Sequence, residues 1–265
     1  MTASLNRIWA LVLRYAMLLK GSPPRLFETI YWPTLNILFL GFLNLYLMKR
    51  LGSQAVNFNM ILGGTILLEF FLRPTMALLL GFVEEVYSRN IAQLYVSPLH
   101  AHEQLLAYGF IMLLRLIIGL VPALFICDWL FGYNILELGW WLLPFTLNLV
   151  LAGSVCGVLV ISLLLRFGQS AEWFGWMLSW LFIPFLGVYY PLDILPGFMR
   201  VIGQALPPSY VFEGLRQIAQ HEAVSWSGIA ASFGLNALYL GAALCVFYAT
   251  LRGARKRGAL LSLSE

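Results

Sequence analysis

The sequence predicts an all-α integral membrane protein with six transmembrane helices. It adds an N-terminal interfacial helix, a short cytoplasmic helix and two short external re-entrant helices before the last span. Three observations carry this reading. Apolar residue types make up 61% of the 265 residues and charged types 11%, against about half and about a quarter in soluble domains. Six stretches meet or approach the roughly 20 apolar residues that cross a bilayer core as a helix. These stretches are apolar all round, whereas a barrel strand alternates, and lipid cannot satisfy the open backbone groups of other structures.

The chain reads as one transmembrane domain over residues 1–265. Residues 1–25 form the leading interfacial helix: Ile8, Val12, Tyr15 and Leu19 fall on one stripe, with Arg7 and Arg14 to one side. Such a helix lies in the plane of the inner interface or serves simply as a topology anchor. Arg7, Arg14 and Lys20 interrupt the apolar stretch, so a cleaved signal peptide is not expected. Gly21, Pro23 and Pro24 end the helix before the first span.

The six spans run over residues 26–48, 60–83, 105–126, 140–165, 173–190 and 229–251, the fifth being the shortest. With both termini in the cytoplasm, ten Lys and Arg lie inside (Arg7, Arg14, Lys20, Arg25, Arg89, Arg166, Arg252, Arg255, Lys256 and Arg257). Four lie outside, namely Lys49, Arg50, Arg200 and Arg216. That bias sets the orientation. The net charge of +4 reflects this topology, and no basic stripe interleaved with stacking aromatics suggests nucleic acid.

After the second span, Tyr87, Ile91, Leu94 and Tyr95 share a face at helical spacing, with Arg89 between them. The Glu84-Glu85 pair stands where the dipole at a helix start favours negative charge, and Pro98 stops the helix. A short amphipathic helix on the cytoplasmic side either docks a partner or packs on its own spans. Residues 191–222 hold two apolar helices of about ten residues, too short to cross and separated by Pro207 and Pro208. Pro208 suits a first helical turn. A re-entrant pair dipping into the outer leaflet fits them; a single kinked span would instead put the basic C-terminal cluster outside.

Charges inside the spans are the candidate functional groups. Glu69 and Arg73 are four apart on one helical face and can pair, either as part of a polar pathway or as a neutralised structural pair. Arg115 lies near mid-span and needs a partner that the sequence does not name. A lone charge there costs about 2.5–3.5 kcal/mol on insertion scales. The three lysines, Lys20, Lys49 and Lys256, all lie outside a Gly-x-x-x-x-Gly-Lys-Ser/Thr phosphate loop. The chain therefore has no nucleotide-binding loop of that kind. His100 and His102 with Glu103 read as an exposed turn, since neighbours two apart do not share a helix face. Cys127, Cys156 and Cys245 read as small buried side chains. No catalytic, metal-binding or cofactor-binding residues are expected.

Two stretches resemble a known family. Glu85-Val-Tyr-Ser-Arg-Asn-Ile-Ala-Gln-Leu-Tyr-Val-Ser-Pro-Leu99 is one. Tyr190-Pro-Leu-Asp-Ile-Leu-Pro196 with Leu206-Pro-Pro-Ser-Tyr-Val-Phe-Glu-Gly-Leu-Arg216 is the other. Both are similar to the membrane subunit of ATP-binding-cassette exporters of the second type, the drug, nodulation-factor and polysaccharide export permeases. The Arg-Asn-Ile and Ser-Pro-Leu wording resembles the nodulation-factor and drug branch more closely.

The resemblance implies a permease that binds no cofactor and works with two copies of a separate ATPase subunit, which uses ATP and Mg. It implies a second permease copy, and the bacterial inner membrane as location. The coupling helix would be formed by Tyr87, Arg89, Ile91, Leu94 and Tyr95. The external gate would involve Pro191, Asp193, Pro196, Pro207, Pro208, Glu213 and Arg216. The expected function is export of an amphipathic, lipid-linked or glycan-type substrate. The competing readings are an ion- or proton-coupled carrier using Glu69 and Arg73, and a membrane-embedded lipid enzyme.

Overall fold

The computed structural model describes residues 2–51, 58–96 and 99–257. Among them every regular element is a helix. Ten α-helices follow in order: α1 (Thr2–Lys20), α2 (Pro23–Leu51), α3 (Phe58–Tyr87), α4 (Ile91–Val96), α5 (Ala101–Phe131), α6 (Leu142–Phe167), α7 (Glu172–Leu181), α8 (Gly197–Ala205), α9 (Pro207–Ala219) and α10 (Trp226–Lys256). Five segments are long and apolar enough to cross a membrane: Pro23–Arg50, Met60–Tyr87, Ala101–Phe131, Ile135–Phe167 and Trp226–Lys256.

α3 is the central column. It packs on α2, α5 and α6, and most of its apolar stretch is buried, whereas α2 and α10 leave most of theirs uncovered. Glycines let α6 approach α3 closely. A Cβ on Gly153 would lie 2.3 Å from the Phe71 carbonyl oxygen, and one on Gly157 would lie 2.6 Å from Leu78. Thr75 Oγ1 donates to the Gly153 carbonyl at 2.9 Å across the same contact. Small residues four apart bring helix backbones together where lipid offers no hydrophobic drive to associate. α2 and α5 meet in the same way, with Gly119 against the Thr29 carbonyl.

α6 and α10 are joined by polar side chains buried among apolar ones. Asn148 Nδ2 donates to Ser232 Oγ at 2.5 Å, and Asn236 Nδ2 donates to the Asn148 carbonyl at 3.0 Å. Hydrogen bonds between helices count in lipid because no water competes for the donors.

The expected span over residues 173–190 is not one helix. α7 ends at Leu181, and the chain continues through a 3₁₀ turn at Ile183–Phe185 and a left-handed Gly187 at φ 67°. Pro184 has no N–H to continue the α-helical ladder. The segment nevertheless follows α3 from end to end. Tyr87 Oη donates to Glu172 Oε2 at 2.6 Å at one end, and a Cβ on Gly175 would touch Leu79. At the other end Val188 lies on Gly64, and Tyr189 Oη lies 3.5 Å from Thr65 Oγ1. The 23 residue steps from Gly64 to Tyr87 correspond to about 35 Å at 1.5 Å per residue.

Three further expectations need correction. The stripe Ile8, Val12, Tyr15 and Leu19 turns inward with Leu11 and packs in the core; the exposed apolar row of α1 is Leu5, Trp9, Leu13 and Met17. Glu84 and Glu85 stand in the last turn of α3 rather than at a helix start, because α3 continues past Val83 to Tyr87. Cys127 and Cys156 are buried, but Cys245 is exposed.

Candidate functional site

Several charged groups gather where α2 and α5 pack on α3. Glu69 is 1% exposed. Its Oε2 accepts from Arg73 Nε at 2.6 Å, and its Oε1 accepts from Asn36 Nδ2 of α2 at 2.7 Å. The expected i,i+4 pair is therefore made, with a third partner from another helix. Both carboxylate oxygens are engaged, as a buried carboxylate requires.

Arg115 does not join that pair. Its partner is Glu84, with Nη2 2.9 Å from Oε1, and Arg25 reaches the same oxygen from α2 at 3.6 Å. Arg73, Arg115 and Arg25 nonetheless line one small polar cavity of about 120 Å³, together with Glu28 and Glu84. Helices α2, α3 and α5 each contribute at least one charge to it. Glu84 lies at the C-terminal end of α3, where the dipole repels a carboxylate, and the two arginines compensate.

Nearby, Glu85 is 1% exposed. It accepts from Asn90 Nδ2 at 2.6 Å and from Arg14 Nη2 at 3.2 Å. Glu103 accepts from Arg7 Nε at 2.9 Å, from Ser4 Oγ and from the His100 backbone N–H. Hydrogen bonding to Glu103 holds the Arg7 guanidinium pKa above its ordinary value. These pairs fasten α1 across the ends of α3 and α5. They also place His100 at the start of α5 as a capping residue.

The segment expected to form one amphipathic helix breaks instead. α3 runs to Tyr87, the chain turns through Ser88–Asn90 with Arg89 at φ 55°, and α4 has six residues. The turn reorients the side chains. Tyr87 and Arg89 are exposed, whereas Ile91 (0%) and Leu94 (8%) are buried in the core with Val86 and Leu164. The expected common face of Tyr87, Ile91 and Leu94 therefore does not exist. Ser97 and Pro98 lie outside the described residues, as does the side chain of Tyr95.

At the other end of α3, α8 and α9 meet at Leu206, with Pro207 and Pro208 in the first turn of α9. Proline is favoured there, since those N–H groups have no intrahelical acceptor. Arg216 is 6% exposed; its Nη2 donates to the Gly187 carbonyl at 2.8 Å and to the Tyr190 carbonyl at 3.0 Å. Its Nη1 pairs with Glu213. Pro191 and Pro196 precede the short helices at Leu192–Ile194 and Gly197–Ala205, and Asp193 pairs with Arg200. The structure thus joins Glu213 and Arg216 to the turn at Gly187, and leaves Asp193 at the surface. Tyr239 Oη of α10 donates to the Ala205 carbonyl at 2.9 Å.

Sequence reasoning missed Asn36, Gly153, the Asn148–Ser232–Asn236 set and the role of Glu84 as the partner of Arg115. The signals were present: polar residues inside apolar runs, and a Gly153-x-x-x-Gly157 spacing.

Stacked apolar helices with charges buried between them define a multi-pass membrane protein. The sequence model of the ABC-2 type transporter family matches residues 6–219, and the chain belongs to that family. It is a transmembrane ABC transporter subunit, a permease component of a kind that typically carries no ATPase of its own and generally works with an ABC ATPase partner. A search of the curated proteins finds no match.

Proposed function

We propose that this permease exports an amphipathic, lipid-linked or glycan-type substrate from the cytoplasm, as a pair of identical copies above two ABC ATPase subunits that use ATP and Mg. The single observation that carries the reading is family membership over residues 6–219 in a chain whose lysines include none in a phosphate loop. The energy must then come from a partner. The reading places both termini on the cytoplasmic side of the inner membrane and counts six crossings, the fifth being residues 173–190 alongside α3. The exposed turn at Tyr87 and Arg89 faces the ATPase, with Ile91 and Leu94 anchoring it from within. The α8–α9 pair, latched by Arg216, closes the external side. The uncovered apolar face of α2, with Phe27, Tyr31 and Phe39 exposed, supplies the contact with the second copy.

The test is co-expression with a candidate ABC ATPase subunit, followed by reconstitution in liposomes. The complex should co-purify, and its ATPase rate should exceed that of the ATPase alone. Uptake by the lone chain that follows a proton gradient would replace this reading with the carrier.

A further inference from the structure

The polar cavity of about 120 Å³ between α2, α3 and α5 runs along one face of α3, past Arg73, Met76, Ala77, Leu80 and Glu84. From Arg73 to Glu84 is about 16 Å at 1.5 Å per residue. The volume is far above what one water needs. Arg25 lines both this cavity and the open groove along α1. Its side chain is 38% exposed, so the cavity is reached past Arg25.

The donors in the wall outnumber the acceptors. A guanidinium carries five N–H donors and no acceptor. Arg73 spends Nε on Glu69, while its Nη1 and Nη2 donate to no described residue and keep accessible surface. Arg115 spends Nη2 on Glu84; its Nε is buried, but its Nη1 is neither engaged nor buried. Arg25 lies 3.6 Å from Glu84 and makes no side-chain hydrogen bond among the described residues. The carboxylates are largely spent. Glu69 uses both oxygens, two arginines share Glu84 Oε1, and Glu84 Oε2 is buried and offers the cavity no surface. Only Glu28 lines the cavity without an ion pair among the described residues. Ionisable groups inside spans are costly and mark ligand or ion paths.

We propose that this cavity binds a phosphate group, carried by a phosphomonoester lipid or free in solution, through Arg25, Arg73 and Arg115. A phosphate brings more acceptor oxygens than a carboxylate, and guanidinium N–H pairs match its geometry. Net charge does not drive the binding, because Glu28, Glu69 and Glu84 balance the three arginines. The unspent donors do. Glu28 competes with the phosphate for them. The site does not require the protein to be an exporter.

The test uses the purified full chain in detergent. Native mass spectrometry compares retention of phosphatidic acid with that of a diacylglycerol carrying the same chains. Thermal unfolding compares inorganic phosphate with chloride at equal ionic strength. Preferential retention of phosphatidic acid assigns the site to a lipid headgroup, and stabilisation by inorganic phosphate assigns it to the free ion. Arg25→Gln should weaken whichever effect is seen about tenfold, the factor given by one charge-assisted hydrogen bond. Lys20→Gln, an exposed charge outside the cavity, should leave it unchanged, and Glu28→Gln should strengthen it. The proposal is overturned if neither probe has an effect, if Lys20→Gln weakens binding as much as Arg25→Gln, or if Glu28→Gln weakens it. The wild-type comparisons and the Glu28→Gln readout decide the matter even if Arg25→Gln fails to fold.

Discussion

Arg216 Nη2 donates to the backbone carbonyl of Gly187 at 2.8 Å, so one guanidinium from α9 holds the left-handed turn that follows α7. The neighbouring Tyr190 carbonyl shares the same nitrogen. The turn has no helical ladder of its own, and its carbonyls depend on this side chain. Arg216→Ala leaves both oxygens without a donor, at about 1–3 kcal/mol each when buried. The expected outcome is a clear drop in thermal unfolding temperature in detergent. Arg216→Lys, which lacks the planar fork, recovers only part of it.

Glu69 and Arg73 form a buried pair that two-sided replacement should spare. Removing one partner of such a pair costs about 3–5 kcal/mol, whereas replacing both with neutral groups costs much less. Glu69→Gln should therefore destabilise the fold more than Glu69→Gln combined with Arg73→Gln. Denaturant unfolding of the single and double variants measures the coupling. A double variant as unstable as the sum of the singles counts against the pairing.

The close approach of α6 to α3 makes Gly153 intolerant of a side chain. Gly153→Ala puts a methyl group against the Phe71 carbonyl at less than contact distance and should cost about 1–3 kcal/mol, the range for overpacking. Gly109→Ala is the control: nothing lies within 4 Å of its added Cβ. It should be neutral or stabilising by up to about 1 kcal/mol, since Ala is the better helix former. Thermal unfolding of the two variants side by side decides the matter.

The docking role proposed for the turn at Tyr87 and Arg89 can be tested apart from folding. Tyr87→Ala and Arg89→Glu alter exposed side chains, so the chain should express and elute normally while binding and stimulating its ATPase less. Ile91→Asp puts a charge in the core at a fully buried position and should abolish folding outright. Size-exclusion profiles paired with ATPase rates distinguish the two classes. A folded Ile91→Asp chain that has lost only stimulation would put Ile91 at the interface instead.

Long apolar runs made the helical membrane class and all five long spans readable to within a few residues of their cores. Pro207-Pro208 marked the α8–α9 junction for a local reason, since proline lacks an N–H and suits a first turn. Where the signal was a stripe, the reading was weaker. Spacing on α1 placed Ile8, Val12, Tyr15 and Leu19 together, yet could not say whether that face met protein or lipid, because both are apolar. The break at Ser88–Asn90 contains no proline or glycine, and Arg89 enters the left-handed region without an obvious local cause.

The sequence by itself therefore determined what lipid demands of any segment: helix, approximate length, and a charged pair within reach at Glu69 and Arg73. The tertiary structure alone decided which distant groups meet. Arg115 finds Glu84 31 residues away, Arg216 finds Gly187, and Asn36 completes the shell of Glu69. Periodicity describes one helix at a time. In a bilayer, partner choice depends on how closely backbones approach, and that is fixed by glycines such as Gly153 and Gly119 acting across helices.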